Sequence, residues 1–364
     1  MKLFADTNAS EAPWSYPAGP AQGRDSACTR TTSGTRGTWA LVLAGDNGAR
    51  LQAPTVGADG TAVPRQYCTV NGHQSLLASA IHSAEQVASR ARTLAVVSGE
   101  HGRWWQTCVS GLSSDNVIVQ PRNRGTAPGI LLPLLEILDR DPEADVVVFA
   151  ADHDLADENA LRRGIRQALP GLRKSVNGVV LLGVGADDAH PDQGYILPSR
   201  SAHDGTYRVR RFAEKPQCSV ARRLIAAGAL LNSHIIVARA SRLLELFVQQ
   251  CPVITRVLMD ARQDSLADSG WSLETAYRVI PTIDFSRQIL VGAESMLRVV
   301  RLSRCNWRDL GTPERSAKWY SRNHCQQLPA GWVRGVEAAR VPDLLPSHLR
   351  HSLTRREPHL EEMS

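Results

Sequence analysis

Trp39-Ala40-Leu41-Val42-Leu43-Ala44-Gly45-Asp46-Asn47-Gly48-Ala49-Arg50-Leu51 is an apolar run that breaks into a glycine-bearing polar turn. Continuous apolar residues with no polar alternation read as a strand covered on both faces. Leu94–Val97 and Val146–Phe149 repeat the pattern downstream. Around them, β-type runs at Trp39–Ala44, Thr93–Ser98, Val117–Gln120 and Asp145–Ala150 alternate with helix-period stretches at Leu76–Ala88, His101–Leu112 and Ala127–Leu138. The helical readings rest on spacing: Leu77, Ile81, Ala84 and Ala88 share one stripe, as do Trp105, Cys108, Val109 and Leu112, and Leu161, Ile165 and Leu169. These apolar residues, both tryptophans at 104 and 105 included, are expected in the core. The alternation predicts an α/β fold with a parallel, doubly wound sheet covered by helices.

Beyond a strand at Asn177–Val184 the pattern changes. Tyr195–Leu197, Tyr207–Phe212 and Asn232–Val237 read as strands with fewer helices between them, which predicts a second lobe on the same sheet. Residues 240–290 read mainly as helix, Arg298–Leu302 as a returning strand, and 313–323 as a helix. Residues 1–37, rich in Ala, Ser, Thr, Gly and Pro, read as a flexible extension, and 326–364 as a second extension with short helices. One α/β domain is therefore expected over 38–325. No internal repeat is visible.

The chain has 364 residues, 43% hydrophobic and 21% charged, which suits a globular protein and excludes a fibrous or wholly disordered one. Its formal net charge of +6 comes largely from dispersed arginines, such as Arg162, Arg163 and Arg166 or Arg208, Arg210 and Arg211. Without interleaved aromatic residues these read as solvated faces, so no nucleic-acid partner is expected, though a basic balance suits phosphate-bearing substrates. The seven cysteines are widely spaced, with no Cys-x-x-Cys pair, which argues against a disulfide framework or a zinc site. No apolar run approaches the ~20 residues of a membrane span and no signal pattern opens the chain. A cytoplasmic protein without a membrane partner is expected.

Four segments carry chemistry. Gly45–Arg50 follows the first strand, where backbone N–H groups and an arginine can meet a polyphosphate; Gly-Asp-Asn-Gly is equally an ordinary turn. Gln120-Pro121-Arg122-Asn123-Arg124-Gly125-Thr126-Ala127-Pro128-Gly129 joins a strand to a helix. Its amides can read a base edge, and it is also a plain helix entry with Thr126 as the cap and Pro128 in the first turn. Ala151-Asp152-His153-Asp154 places a carboxylate where it can hold a magnesium ion on phosphate oxygens, with His153 more readily a structural hydrogen-bonder than a ligand. In the second lobe, Gly194-Tyr195-Ile196, Phe212-Ala213-Glu214-Lys215-Pro216, Asn232-Ser233 and Trp307-Arg308-Asp309-Leu310-Gly311-Thr312 offer acceptors, amides and a cation to a polyhydroxylated, phosphorylated ligand.

The order of these segments resembles that of the mannose-1-phosphate guanylyltransferases, within the sugar nucleotidyltransferase superfamily, from Trp39 to about Arg315. The most specific parts are Gln120–Gly129, Asp152-His153, Phe212–Pro216, Leu231-Asn232-Ser233 and Trp307–Thr312. The resemblance implies a Rossmann-like, mostly parallel α/β sheet flanked by helices, and a reaction in which mannose 1-phosphate attacks the α-phosphorus of GTP and pyrophosphate leaves. It implies that Gly45, Gly48, Arg50 and Arg65 hold the triphosphate, and that Gln120, Asn123, Gly125, Thr126 and Ala127 surround the guanine. Asp152 and Asp309 would coordinate Mg2+, Gly194, Glu214 and Asn232 would contact the mannose, and Lys215 its phosphate. Arg50, Asp152 and Lys215 are the expected catalytic groups, and a homodimer is the expected assembly.

Departures from the family pattern cluster in the phosphate loop, where Asp46 replaces a glycine, Ala49 a threonine, and Pro64-Arg65 a Pro-Lys pair. Asp192-Gln193 and His234 depart from it in the second lobe. Three readings follow: a guanylyltransferase for mannose 1-phosphate, a nucleotidyltransferase for another hexose 1-phosphate, and a nucleotide-sugar-binding regulatory homologue.

Overall fold

The computed structural model describes residues 37–46, 63–67, 74–155, 157–174, 178–264, 272–302, 307–309 and 315. Gly48, Arg50 and Ala49, the helix expected over 313–323 apart from Arg315, and the two extensions apart from Gly37 lie outside them.

A parallel half comes first. Strand β1 (Thr38–Ala44) is followed by helix α1 (Leu76–Glu85), β2 (Thr93–Ser98), helix α2 (Gly102–Cys108), β3 (Val117–Gln120), α3 (Thr126–Arg140) and β4 (Asp145–Ala150). A short strand β5 (His153–Leu155), α4 (Glu158–Lys174), β6 (Val179–Gly185), β7 (Gly194–His203), β8 (Thr206–Glu214), α5 (Cys218–Ala226) and β9 (Leu230–Arg239) follow. Helices α6 (Ala240–Gln250), α7 (Pro252–Asp264) and α8 (Leu273–Val279), a π turn at Ser286–Leu290, and strands β10 (Leu297–Arg301) and β11 (Trp307–Asp309) complete the described chain.

Nine strands form one sheet in the order β3-β2-β1-β4-β9-β6-β10-β8-β7. Following the pairings across it, seven strands run one way and only β8 and β9 run against them. The expected mostly parallel sheet is thus present, with the second lobe built on the same sheet.

Why β1 is a strand shows in its two faces. Trp39 and Leu41 enter one core with α3, α6 and α7, while Ala40, Val42 and Ala44 enter the other with α1 and α4. A sheet buried on both sides needs apolar residues at every position, as the run Trp39–Ala44 supplies. Burying one side chain such as Leu41, at 0% exposure, contributes about 1.5–3 kcal/mol. Local signals start and stop the elements: Ser75 caps α1 by accepting from Ala78 N–H at 3.1 Å. Asp204 and Gly205, both at positive φ, close the β7–β8 hairpin as a two-residue turn.

Three expectations need correction. The helix read over His101–Leu112 is α-helical only over Gly102–Cys108, preceded by a 3-10 turn. Gly125, not Thr126, is the N-cap of α3. Residues 153–155 and 307–309, to which the sequence reading gave no strand, pair as a two-stranded antiparallel ribbon with Asp309 opposite His153. Among the described residues no helix is long and apolar enough to cross a membrane.

Candidate active site

The carboxyl ends of β1, β3 and β4 present Gly45, Gln120 and Asp152 at the same edge of the parallel half, the side on which open α/β sheets place their ligands. Asp152 directly precedes β5, and the β5–β11 ribbon brings Asp309 to it across 157 positions of sequence. Arg65 stands between the two carboxylates. Its Nη2 donates to Asp152 Oδ2 at 2.5 Å, and its Nη1 lies 4.0 Å from Asp309 Oδ1.

Asp309 is held from the other side by Arg315, whose Nη2 reaches its Oδ2 at 2.9 Å and Asp192 Oδ2 at 2.7 Å. Gln193 Nε2 donates to the same Asp309 oxygen at 3.4 Å. Burial alone would raise both carboxyls. The basic groups outweigh it: His153 and Arg65 around Asp152, and His153, Arg315 and Arg65 around Asp309, hold each below the usual carboxylate range. His153 lies 3.5 Å from Asp152 and packs its ring against His234 and Trp307 at centroid distances of 5.3 and 5.2 Å. Burial pushes its pKa down.

Mg2+ takes one or two protein carboxylates and fills its other positions with water and substrate phosphate oxygens. Two ionised carboxylates converging at a strand end fit that ion. Among the described residues no group of three or more His, Cys, Asp or Glu is assembled for a metal.

The loop read as a base site is built around Gly125. Its φ of +86° is one that L side chains rarely adopt, and a Cβ there would stand 2.3 Å from Ile283 O. That contact lets residues 283–285 pack as a strap across the start of α3. Ala127 N–H donates to Ile283 O at 3.0 Å, Ile283 N–H to Arg124 O at 2.9 Å, and Phe285 N–H to Thr126 Oγ1 at 2.8 Å. Thr126 and Ala127 therefore hold the strap. Asn123 accepts from Gly125 N–H at 2.7 Å and donates to Asp46 Oδ1 at 3.3 Å, so the side chain that replaces a family glycine ties the first loop to the second. Gln120 is buried, and its Nε2 would stand 3.0 and 3.2 Å from a Cβ on Gly45 and on Gly129, so both glycines make room for this amide.

The second-lobe residues gather at the ends of β7, β8 and β9. Gly194 pairs with Glu214, and a Cβ on it would stand 2.6 Å from Glu214 Oε2. Lys215, at φ +48°, sets its Nζ 3.1 Å from Glu214 Oε1 and 3.6 Å from Asp284 Oδ2. Its N–H donates to Gln193 O at 3.1 Å, which joins this cluster to the residue that touches Asp309. Glu214 Oε2 and Gln193 Oε1 are buried acceptors without a hydrogen-bond partner among the described residues, the condition of groups that take hydroxyl donors from a ligand. Asn232 is buried, accepts from His234 N–H at 3.1 Å and reaches Ser286 Oγ at 3.5 Å.

Asp284, Gln193 and Arg315 were not singled out as site residues in the sequence. Asp284 lies near the end of a stretch read mainly as helix and belongs to no motif, and Arg315 only marked the end of the family resemblance. Their roles come from pairings over 69, 116 and 123 positions. Gly48 and Arg50 fall outside the described residues.

A sequence profile described as nucleotidyl transferase matches residues 39–319. The chain is 30% identical over 215 residues to a mannose-1-phosphate guanylyltransferase of Escherichia coli (strain K12), covering 56% of this chain and 43% of that protein. It is 28% identical over 210 residues to the alginate biosynthesis protein AlgA of Pseudomonas aeruginosa, covering 56% and 42%. The chain thus spans less than half the length of these curated relatives. Its fold is similar to a crystal structure from Thermus thermophilus described as a mannose-1-phosphate geranyltransferase, with a TM-score of 0.65, 26% identity and 79% of each chain covered.

Proposed function

The chain belongs to the nucleotidyl transferase family, and from that premise we propose that it transfers GMP from GTP to mannose 1-phosphate in a Mg2+-dependent reaction that releases pyrophosphate. One observation carries the proposal: Asp152 and Asp309 meet at the carboxyl end of the central strands with Arg65 between them and the Glu214–Lys215 cluster one residue contact away through Gln193. The names of the relatives support mannose 1-phosphate and the guanylyl group.

In this reading a phosphate oxygen of the sugar phosphate attacks the α-phosphorus of GTP, and the bond to the pyrophosphate oxygen breaks. No group of the chain is covalently modified. Asp152 and Asp309 would hold a divalent cation, which would supply charge neutralisation for the phosphates. Lys215 holds the phosphate of the incoming sugar, and Glu214 and Asn232 beside Gly194 accept and donate to its hydroxyls. Gln120 and Asn123 face the guanine, while Gly125, Thr126 and Ala127 shape that pocket by fixing the strap behind it. Gly45, Gly48, Arg50 and Arg65 attend the triphosphate. Rate comes from alignment and from charges already in place when the pyrophosphate begins to leave.

A second reading, another hexose 1-phosphate as acceptor, is favoured by His234. This residue sits at φ +58° next to Asn232, where it can reshape the sugar pocket. Pyrophosphate release with GTP and Mg2+ against a panel of sugar 1-phosphates separates the readings. Turnover with mannose 1-phosphate alone supports the first, turnover with a different sugar the second, and nucleotide binding without turnover leaves the regulatory homologue, for which the Asp46–Asn123 bond speaks.

A further inference from the structure

Among the described residues of the site, Arg65 leaves two buried side-chain nitrogens without a hydrogen bond. Its side chain is 5% exposed, and only Nη2 makes a hydrogen bond; Nε and Nη1 are buried without a hydrogen-bond partner among the described residues, Nη1 having only the 4.0 Å ion pair with Asp309. A guanidinium has five N–H donors, and burying them unpaired costs free energy. Its location compensates for that cost, because it is the positive charge lying between two buried carboxylates that would otherwise repel one another. Arg315 does not duplicate the role. It takes the opposite oxygen of Asp309 and is anchored by Asp192 at 2.7 and 3.0 Å.

We infer that Arg65 is a built-in stand-in for the divalent cation: it and the metal compete for the space between Asp152 and Asp309, so that the metal enters only as Arg65 turns the donors that lack hydrogen bonds to a polyphosphate. The inference rests on the metal reading above and goes beyond it, since it sets an order on the site. In the metal-free chain the guanidinium offsets part of the charge of the two carboxylates and keeps a bare cation out. A dication entering that space meets Asp152 with a like charge already on it, and the repulsion is relieved when the guanidinium finds anionic oxygens elsewhere. Arg65 is thus a positioning residue for the metal, with the consequence that a lone cation binds weakly and a cation delivered with a triphosphate binds well.

The test is Mn2+ binding to the full chain at pH 7.5 without nucleotide, followed by electron paramagnetic resonance, for wild type, Arg65→Met, Arg65→Gln and Arg65→Lys. Arg65→Met and Arg65→Gln are expected to bind Mn2+ at least tenfold more tightly than wild type, and Arg65→Lys, which keeps a cation, close to wild type. Thermal unfolding supplies a readout independent of activity: the metal-free neutral variants unfold at a lower temperature than wild type, and Mn2+ raises their midpoint more than it raises that of wild type. Arg65→Gln retains a donor to Asp152 and carries the comparison if Arg65→Met does not fold. Mn2+ affinity in Arg65→Gln equal to or below wild type overturns the proposal. Absence of Mn2+ binding in every form, with GTP as well as without it, overturns the metal reading beneath it.

Discussion

Replacing Gly125 by alanine puts a methyl group where the strap crosses the first turn of α3. The new Cβ would lie 2.3 Å from Ile283 O and 2.8 Å from Ile283 C, both backbone atoms that cannot swing aside. Residue 125 also has φ 86° and ψ 179°, a region essentially reserved for glycine, in which another residue costs about 1–3 kcal/mol. Relief requires residues 283–285 to withdraw, which breaks bonds from Ala127, Ile283 and Phe285 N–H worth about 0.5–1.5 kcal/mol each. Strain plus the loss of two of the three bonds gives on the order of 3 kcal/mol, or roughly 6–12 °C in Tm for a domain of this size. Urea titration and differential scanning calorimetry of Gly125→Ala measure it directly. Because the strap also carries Asp284 to 3.6 Å from Lys215, the same variant is expected to weaken sugar-phosphate affinity from a position on the nucleotide side. A variant with wild-type midpoint and wild-type sugar-phosphate binding would refute the reasoning.

Lys215→Met removes the cation of the second-lobe cluster and is expected to raise the KM for the sugar phosphate roughly 10- to 100-fold, with the KM for GTP little changed; a shift confined to the nucleotide would contradict the assignment. Ser233→Ala is expected to cost about 1–3 kcal/mol, because the buried Ser233 Oγ donates to Leu182 O at 2.6 Å and accepts from Ile235 N–H at 3.3 Å; an unchanged urea midpoint would contradict it. Asp192 is buried enough to have its pKa raised, but the Arg315 hydrogen bond and charge outweigh burial and hold it below the ordinary value of 3.8. A depressed folded pKa contributes stability that is present above the unfolded pKa and is lost as pH falls through the folded one. Asp192→Asn is therefore expected to lower Tm at pH 7 and to approach wild type as the pH drops below about 4. A gap that stays constant from pH 7 to pH 3 would show that the ion pair is not its source.

The parallel half was legible because its signal is local. Trp39–Ala44 and Val146–Phe149 must be apolar on both faces, and that requirement is written in consecutive residues. Asp152 was legible for the same reason, as a carboxylate at the end of such a strand. The ribbon that brings Asp309 to it was not, because strands of three residues carry too few side chains to show a period, and their pairing joins distant segments. The strap was hidden differently. Gly125, Thr126 and Ala127 read as groups that face a ligand, yet Thr126 and Ala127 direct their hydrogen bonds to Ile283 and Phe285, partners more than 150 positions away that no periodicity announces. Asp46 reads as a negative charge beside a polyphosphate, whereas its carboxylate is engaged by Asn123.

The joint hold of Asp152 and Asp309 on one cation is tested most directly by the anomalous signal of Mn2+ in crystals grown with GTP. A single peak within about 2.2 Å of an oxygen from each carboxylate, with phosphate oxygens completing its coordination, is the expected result. A peak bound by one of the two alone, or located away from the β5–β11 ribbon, would contradict it.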